Sequence, residues 1–153
     1  MLFRSVMASI AHETEKTGDF SRFMGTLATA IRAPDAITLS ACRIARAVGA
    51  AVIVTPTMSG TTARLVARHR PAQPVLALTP DHEVANALCL SWGVQTVTVP
   101  EFTDADGMIT AAAAAALRLG LASAGDLAVL TAGLPVASKG TTNLIKIETL
   151  RQT

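Results

Sequence analysis

One stretch decides the fold: residues 51–62, which read AVIVTPTMSGTT. The first five residues carry no charge and include Val, Ile and Val in a row, which predicts a strand buried on both faces. Pro56 cannot donate to a strand ladder, so the strand must end there. A polar loop follows, and Ala63, Val66 and Ala67 then begin a helical stripe. The stretch therefore predicts a strand–loop–helix unit.

The loop of this unit is rich in hydroxyl groups, namely those of Thr57, Ser59, Thr61 and Thr62, with Gly60 among them. Unpaired backbone N–H groups at a helix N-terminus attract an anion with several acceptor oxygens. The alternative is that Thr57 or Ser59 only caps the helix and that nothing binds. Capping needs one hydroxyl, whereas the loop supplies four, so we keep both interpretations open and favour anion binding.

The rest of the chain alternates between helical and extended patterns. Apolar periodicity and turn residues predict helices over about 3–16, 34–48, 81–92 and 103–119, besides the one that begins at Ala63, with Asp81 and Thr103 or Asp104 as N-caps. Extended runs predict strands over 51–55, 74–78, 94–99, 127–131 and 143–150.

The apolarity of the strands predicts their order. The first, second and fourth are continuously apolar and belong inside a sheet, whereas the third and fifth alternate and belong at its edges. Helical crossovers make the first four parallel, and the short loop before the fifth makes it antiparallel. The predicted fold is α/β, with a mixed five-stranded sheet in the order 3-2-1-4-5. Ligands of such sheets bind where the order reverses, so loop 55–62 should face loop 132–141.

Composition limits the function classes. The 153 residues fit a single domain, half of them are apolar and 16% are charged, which excludes a disordered chain. A net charge of +2 argues against nucleic acid as a partner, and we interpret Arg64, Arg68 and Arg70 with His69 as a solvated helix face. No apolar run is long enough to span a membrane, and no signal peptide is recognisable. Cys42 and Cys89 read as buried free thiols, so we expect a cytoplasmic protein.

Catalytic and metal-binding motifs are not recognisable. His12, His69 and His82 are isolated, and Asp104 and Asp106 stand at a helix start, where they favour the helix dipole. The sequence contains no phosphate-loop lysine motif, nucleophile elbow or cluster with metal-ligand spacing. We therefore predict no catalytic residues and no metal site.

Several short blocks, in order and in register, resemble the C-terminal domain of pyruvate kinase. The blocks are ETEK (13–16), IVTPTMSG (53–60), ARHRP (67–71), LTP (78–80), WGV (92–94), GD (125–126), LTAG (130–133) and GTTNLIK (140–146). The resemblance runs from about residue 6 to residue 148. It implies a three-layer α/β/α sandwich that serves as the regulatory domain of a homotetramer in a glycolytic phosphotransferase.

The resemblance also implies a site for an allosteric effector, a sugar phosphate or a nucleoside monophosphate. By that likeness one loop holds the phosphate through Thr57, Ser59, Gly60, Thr61 and Thr62. A second loop, which includes Lys139 and Gly140, closes over the other side. Many family members carry Lys or Arg where this chain has Thr61. A charge-assisted hydrogen bond is roughly twice as strong as a neutral one, so activation by a sugar bisphosphate is in doubt.

The resemblance does not extend to the catalytic (β/α)₈ barrel, which in the family uses magnesium, potassium and ADP/ATP. We expect the chain alone to be inactive towards phosphoenolpyruvate and ADP, and to need no cofactor of its own. A second hypothesis is a subunit-assembly module with a vestigial effector site, and a third is an independent enzyme that holds a phosphorylated substrate at loop 55–62. No helix start precedes Phe3, so we expect the natural chain to extend upstream, with residues 1–5 treated as a candidate non-native extension.

Overall fold

The fold is seen in a computed structural model that describes residues 2–17, 32–136 and 141–151. Within these ranges the helices are α1 (Leu2–Thr17), α2 (Ala33–Ala47), α3 (Thr61–Ala67), α4 (His82–Leu88) and α5 (Ala105–Arg118). The strands are β1 (Val52–Pro56), β2 (Val75–Thr79), β3 (Val94–Thr98), β4 (Leu127–Ala132) and β5 (Leu144–Thr149). None of these helices is long and apolar enough to cross a bilayer.

The five strands form one sheet in the order β3-β2-β1-β4-β5. β1 pairs in parallel with β2 and β4, β2 pairs in parallel with β3, and β5 runs antiparallel to β4. β1 and β2 are buried along their whole length, whereas β3 and β5 at the edges are partly exposed. The predicted fold class, strand order and direction are confirmed.

Helices cover both faces of the sheet, because successive side chains of a buried strand point to opposite sides. Val52 and Val54 point into a core shared with α5, whose Ala112 lies in the same cluster. Ile53 points the other way, into a core shared with α2 and α3 that includes Ala45. α4 covers the same side as α3, where Leu88 and its neighbours form a smaller cluster. The result is an α/β/α arrangement of three layers.

Aspartate carboxylates cap the N-termini of two helices, as the sequence predicts. The Asp81 carboxylate accepts hydrogen bonds from the backbone N–H groups of Glu83 (2.8 Å) and Val84 (3.3 Å) at the start of α4. The Asp104 carboxylate accepts one from the N–H of Gly107 (2.7 Å) at the start of α5. The Gly107 donor is also the main reason that the pKa of Asp104 lies below its ordinary value.

The two cysteines differ, and the prediction that both are buried is wrong for one of them. Cys42 is buried in α2, and this burial raises the pKa of its thiol to about 12, so the thiol is protonated at neutral pH. Cys89 is exposed. The predicted helix over 81–92 ends early, at Leu88, so Cys89 sits at the C-cap rather than on the inner face of a longer helix.

The apolar face of α1 is not covered by the described part of the chain. Val6, Met7 and Ile10 are 51%, 65% and 61% exposed. The described side chains of α1, residues 5–16, are all exposed. The periodicity correctly predicts a helix with an apolar stripe, but a pattern of this kind cannot say what the stripe packs against.

His69 is buried where α3 ends against α2. Its side chain is 8% exposed, and its Nε2 atom has no hydrogen-bond partner among the described residues. Beside it the Asp35 carboxylate accepts from Arg68 (2.8 Å) and Arg32 (2.9 Å). Burial is the main cause that lowers the pKa of His69; the positive charges of Arg68 and Arg43 lower it further, and Asp35 acts in the opposite direction.

This environment predicts that His69 makes stability fall as the pH is lowered from about 7.5 through the ordinary histidine pKa of 6.5. In the unfolded chain the imidazole takes up a proton near its ordinary pKa of 6.5, whereas in the folded chain it resists protonation to a lower pH. As the pH falls through the ordinary pKa, the unfolded chain therefore binds more protons than the folded chain does. The free energy of unfolding decreases as a result. Urea unfolding across this range should show a flatter pH dependence for His69→Gln, and an unchanged dependence would contradict the assignment.

Candidate functional site

The first part of the site is the loop between β1 and α3. β1 ends at Pro56, and the N–H of Thr57 donates to the carbonyl oxygen of Leu78 (2.8 Å). The Thr57 hydroxyl then accepts from the N–H of Gly60 (2.9 Å), which closes the loop into a tight turn. Gly60 has a φ of 76°, a left-handed conformation that glycine adopts without a steric penalty. Threonine and glycine three residues apart therefore shape this loop.

The start of α3 has no side-chain cap. Its N-cap residue is Gly60, which has no side chain, and no side-chain hydrogen bond caps the helix. The interpretation in which Thr57 or Ser59 caps α3 is therefore wrong, because the Thr57 hydroxyl is used inside the turn instead. The Ser59 and Thr61 hydroxyls lie 2.9 Å apart, at the surface. One hydrogen bond between two hydroxyls uses one proton, so the pair keeps a second proton to donate.

The second part of the site is the chain that leaves β4 and returns to β5. The Asn143 side chain bonds to both the N–H and the carbonyl oxygen of Leu134 (2.8 Å each), which holds the two ends of this segment together. A Cβ at Gly133 would overlap the backbone carbonyl group of Thr141, so only glycine fits there. The Leu134–Pro135 peptide bond is cis.

A buried hydrogen bond joins the two parts. The hydroxyls of Thr62, in the first turn of α3, and Thr142, just before β5, lie 2.9 Å apart although they are 80 residues apart in sequence. Both side chains are buried, at 6% and 4% exposure. Ala132, Gly133 and Thr141 line one cleft together with residues of loop 55–62, so the predicted meeting of loop 55–62 with loop 132–141 is confirmed for the described residues of both loops.

Between the two parts lies a cleft with a cavity volume of about 40 Å³. Its polar lining residues are Thr57, Ser59, Thr61, Thr62, Glu101, Thr141 and Thr142. Its other lining residues are Pro56, Met58, Leu78, Pro80, Phe102, Met108, Ala132, Gly133 and Val136. The cleft thus brings together the carboxyl ends of β1, β2 and β4 with the segment that follows β3. A volume of this size holds a few waters or one compact anion.

The charge of the cleft differs from that of an ordinary phosphate site. Among its described lining residues Glu101 is the single charged side chain, and it is exposed. Arg64 stands close to the loop, where its guanidinium donates to the backbone carbonyl oxygen of Ser59 (3.1 Å). The described cleft therefore offers neutral hydroxyl donors, rather than cations, to a ligand.

The predicted site residues fall into three groups. Thr57, Ser59, Thr61 and Thr62 line the cleft. Gly60 forms the turn behind it, where a Cβ would approach the side chains of Arg64, Val84 and Leu88 to 3.2 Å. Lys139 and Gly140 lie outside the described residues. A role in phosphate binding stays a prediction for all of them.

Sequence reasoning did not identify Glu101, Phe102, Met108 or Thr142 as part of the site. The available signal for Thr142 was the predicted position of loop 132–141 beside loop 55–62. Glu101 and Phe102 follow a predicted edge strand, and the same topological rule brings the carboxyl ends of neighbouring parallel strands together.

The described residues do not provide a set of metal ligands. Residues 2–17, 32–136 and 141–151 contain no group of three His, Cys, Asp or Glu side chains that could hold a metal ion. The lining residues described above include no histidine, cysteine or lysine.

Residues 35–148 match the family model described as "Pyruvate kinase, alpha/beta domain". The chain belongs to the pyruvate kinase C-terminal domain family. A pyruvate kinase of Clostridium acetobutylicum is 36% identical over 146 residues, which cover 94% of this chain and 31% of that enzyme. One from Geobacillus stearothermophilus is 44% identical over 116 residues, which cover 76% of this chain and 20% of that enzyme. The chain thus spans under a third of the length of these curated relatives.

Solved structures give the same family. A pyruvate kinase from Cryptosporidium parvum superposes with a TM-score of 0.83 at 30% identity, covering 95% of this chain and 29% of that one. A second structure, "Cryptosporidium parvum pyruvate kinase in complex with ADP", gives a TM-score of 0.81 at 31% identity, covering 95% and 30%. The pyruvate kinase family thus accounts for the resemblance seen in the sequence blocks.

The buried Thr62–Thr142 pair predicts a measurable coupling between the two parts of the cleft. Thr62→Val and Thr142→Val should each cost about 1–2 kcal/mol of unfolding free energy, because each leaves one buried hydroxyl without its partner. The double variant should lose about 1 kcal/mol less than the sum of the two. Urea unfolding of the four proteins measures this coupling, with Thr110→Val, at an exposed position on α5 outside the cleft, as a control. Additive losses would mean that the two hydroxyls do not stabilise each other.

Proposed function

We propose that this domain is the regulatory part of a pyruvate kinase and binds a phosphorylated effector in the cleft. The observation that carries the proposal is the convergence of hydroxyl groups from two distant loops, Thr57–Thr62 and Thr141–Thr142, at the point where the strand order reverses. Ligands of open α/β sheets bind in this crevice. The family to which the chain belongs supports the same assignment.

The chemistry of the cleft suits a phosphate group bound by neutral donors. Ser59 and Thr61 keep a hydroxyl proton for a ligand, and the uncapped first turn of α3 directs backbone N–H groups towards the same loop. Neutral hydrogen bonds are about half as strong as charge-assisted ones. We therefore expect modest affinity from the described residues, and Lys139 remains a predicted counter-charge.

The parent protein in this proposal is a glycolytic phosphotransferase that moves a phosphoryl group from phosphoenolpyruvate to ADP. That reaction, with its magnesium and potassium, belongs to the catalytic barrel of the family. The family model matches this chain as the α/β domain. We accordingly assign the domain no catalytic residue and expect it alone to be inactive. A cytoplasmic location belongs to the same proposal.

Subunit assembly is a second proposed role, because apolar side chains remain exposed on several described elements, including α1 and β5. Val6, Met7 and Ile10 form a stripe on α1, and Ile147 is 45% exposed on the edge strand β5. Exposed apolar patches and unpaired strand edges are the surfaces that partners cover. A homotetramer, as the resemblance implies, would supply such partners. If no phosphorylated ligand binds, assembly becomes the leading function.

Ligand binding is tested by thermal unfolding of the chain with fructose 6-phosphate, ribose 5-phosphate and AMP. A ligand at 100 times its dissociation constant should stabilise the fold by ~2.7 kcal/mol, seen as a rise in Tm. Ser59→Ala and Thr61→Val should reduce this rise, because each removes a hydroxyl donor from the cleft. Thr110→Val, an exposed threonine on α5 outside the cleft, is the matched control. A rise that survives both cleft substitutions would place the ligand elsewhere.

A further inference from the structure

We infer that His69 is a proton-operated switch, which holds α3 against α2 while it is neutral and releases α3 when it is charged. The inference does not depend on the proposed ligand. It concerns the short helix that joins the loop after β1, at one end, to His69 at the other. Its basis is the position of the imidazole, the charges around it and the length of α3.

His69 lies in the turn that ends α3, where this helix meets α2. Its backbone N–H donates to the carbonyl oxygen of Val66 (3.0 Å), which ties it to the last turn of the helix. Val66 packs into the core cluster that includes Ala41 and Cys42 of α2. The His69 side chain is itself buried. The imidazole is therefore part of the contact between the two helices, and it moves with α3.

The groups around the imidazole favour its neutral form. Burial, and then the positive charge of Arg68, lower the pKa of the imidazole, and Arg43 of α2 lowers it further. Asp35 of α2 acts in the opposite direction, but its two carboxylate oxygens already accept from Arg32 (2.9 Å) and Arg68 (2.8 Å). Cys42, on the same face of α2 as Asp35, carries a protonated thiol. β1 and β2, which pack against α3 from the sheet, contain no ionisable side chain.

A proton on this imidazole cannot be accommodated while the side chain stays buried. Both ring nitrogens of a charged histidine are donors, and Nε2 has no hydrogen-bond partner among the described residues. A buried charged donor without a partner costs much more than a buried neutral nitrogen does. The charged ring is stable only in water, and it reaches water only if the end of α3 leaves α2.

The shortness of α3 carries this movement to the loop after β1. The helix has seven residues, about two turns, and no side-chain cap at its start. A helix of this length depends on its packing for stability, so it opens as a unit. Thr62, in its first turn, forms the buried hydrogen bond to Thr142. Acid should therefore loosen both α3 and the loop that precedes it, whereas α5, on the other face of the sheet, should stay in place.

Amide hydrogen exchange of the full 153-residue chain at pH 7.5 and 5.5, corrected for the intrinsic effect of pH on exchange, tests the switch. The N–H groups of residues 64–70 report on α3, and that of Gly60, which donates to Thr57, reports on the loop. Their protection should fall by up to about tenfold, the limit for one proton taken up near the ordinary pKa of 6.5. In His69→Phe, which cannot be protonated, their protection should not change. His82→Gln, at an exposed histidine on α4, should keep the wild-type change.

Exchange at low urea concentrations separates the release of α3 from global unfolding. Release of one short helix exposes little surface, so exchange of residues 64–70 should depend weakly on urea, whereas exchange in α5 should follow global unfolding. Equal protection and equal urea dependence of the two helices at pH 5.5 would mean that His69 affects only global stability, and the switch would be wrong.

Three other results would also overturn the inference. The first is protection of residues 64–70 that does not fall with pH in the wild type. The second is a fall that persists in His69→Phe. The third needs no variant: it is an NMR titration of the wild type in which the His69 imidazole takes up its proton while residues 64–70 stay fully protected.

Discussion

The structure depends on the complete burial of β1 at the centre of the sheet. Val52, Ile53 and Val54 are fully buried, with β2 hydrogen-bonded on one side and β4 on the other. Strands buried on both faces favour uncharged and mostly apolar side chains, and β1 supplies three β-branched apolar residues and the buried Thr55 without a charge. Pro56 then ends the strand, so the following residues leave the sheet between β1 and β4, where the strand order reverses. The cleft lies at this reversal.

Polar groups, rather than apolar burial, fix the shape of the cleft. Thr57 closes its turn through Gly60, Asn143 holds the segment after β4, and Thr62 reaches Thr142 across the cleft. A buried hydroxyl without a partner costs about 1–3 kcal/mol, so the contacts of Thr57 and of the Thr62–Thr142 pair favour one arrangement of the loops over others. The hydroxyls that stay at the surface, on Ser59 and Thr61, are the ones left for a ligand.

The fold could be predicted from the sequence because the apolar pattern of each strand indicates how deeply that strand is buried. Uncharged, mostly apolar runs at 51–55 and 74–78 belong in the middle, and alternation at 94–99 belongs at an edge. The features that the sequence did not predict also have a physical explanation. The apolar stripe of α1 does not reveal its partner, and the early end of α4 at Leu88 depends on turn geometry that periodicity does not detect. For the cleft, the hydroxyl-rich loop was a local signal, whereas Glu101 enters the site only through the tertiary fold.

The central claim is that two loops far apart in sequence form one phosphate-binding cleft. The most direct measurement is amide hydrogen exchange of the chain with and without fructose 6-phosphate. If the account is right, the ligand slows exchange in both 57–62 and 141–143, because those segments share the cleft and the Thr62–Thr142 hydrogen bond. Slower exchange in only one of the two segments, or in neither while the ligand is bound, would contradict it.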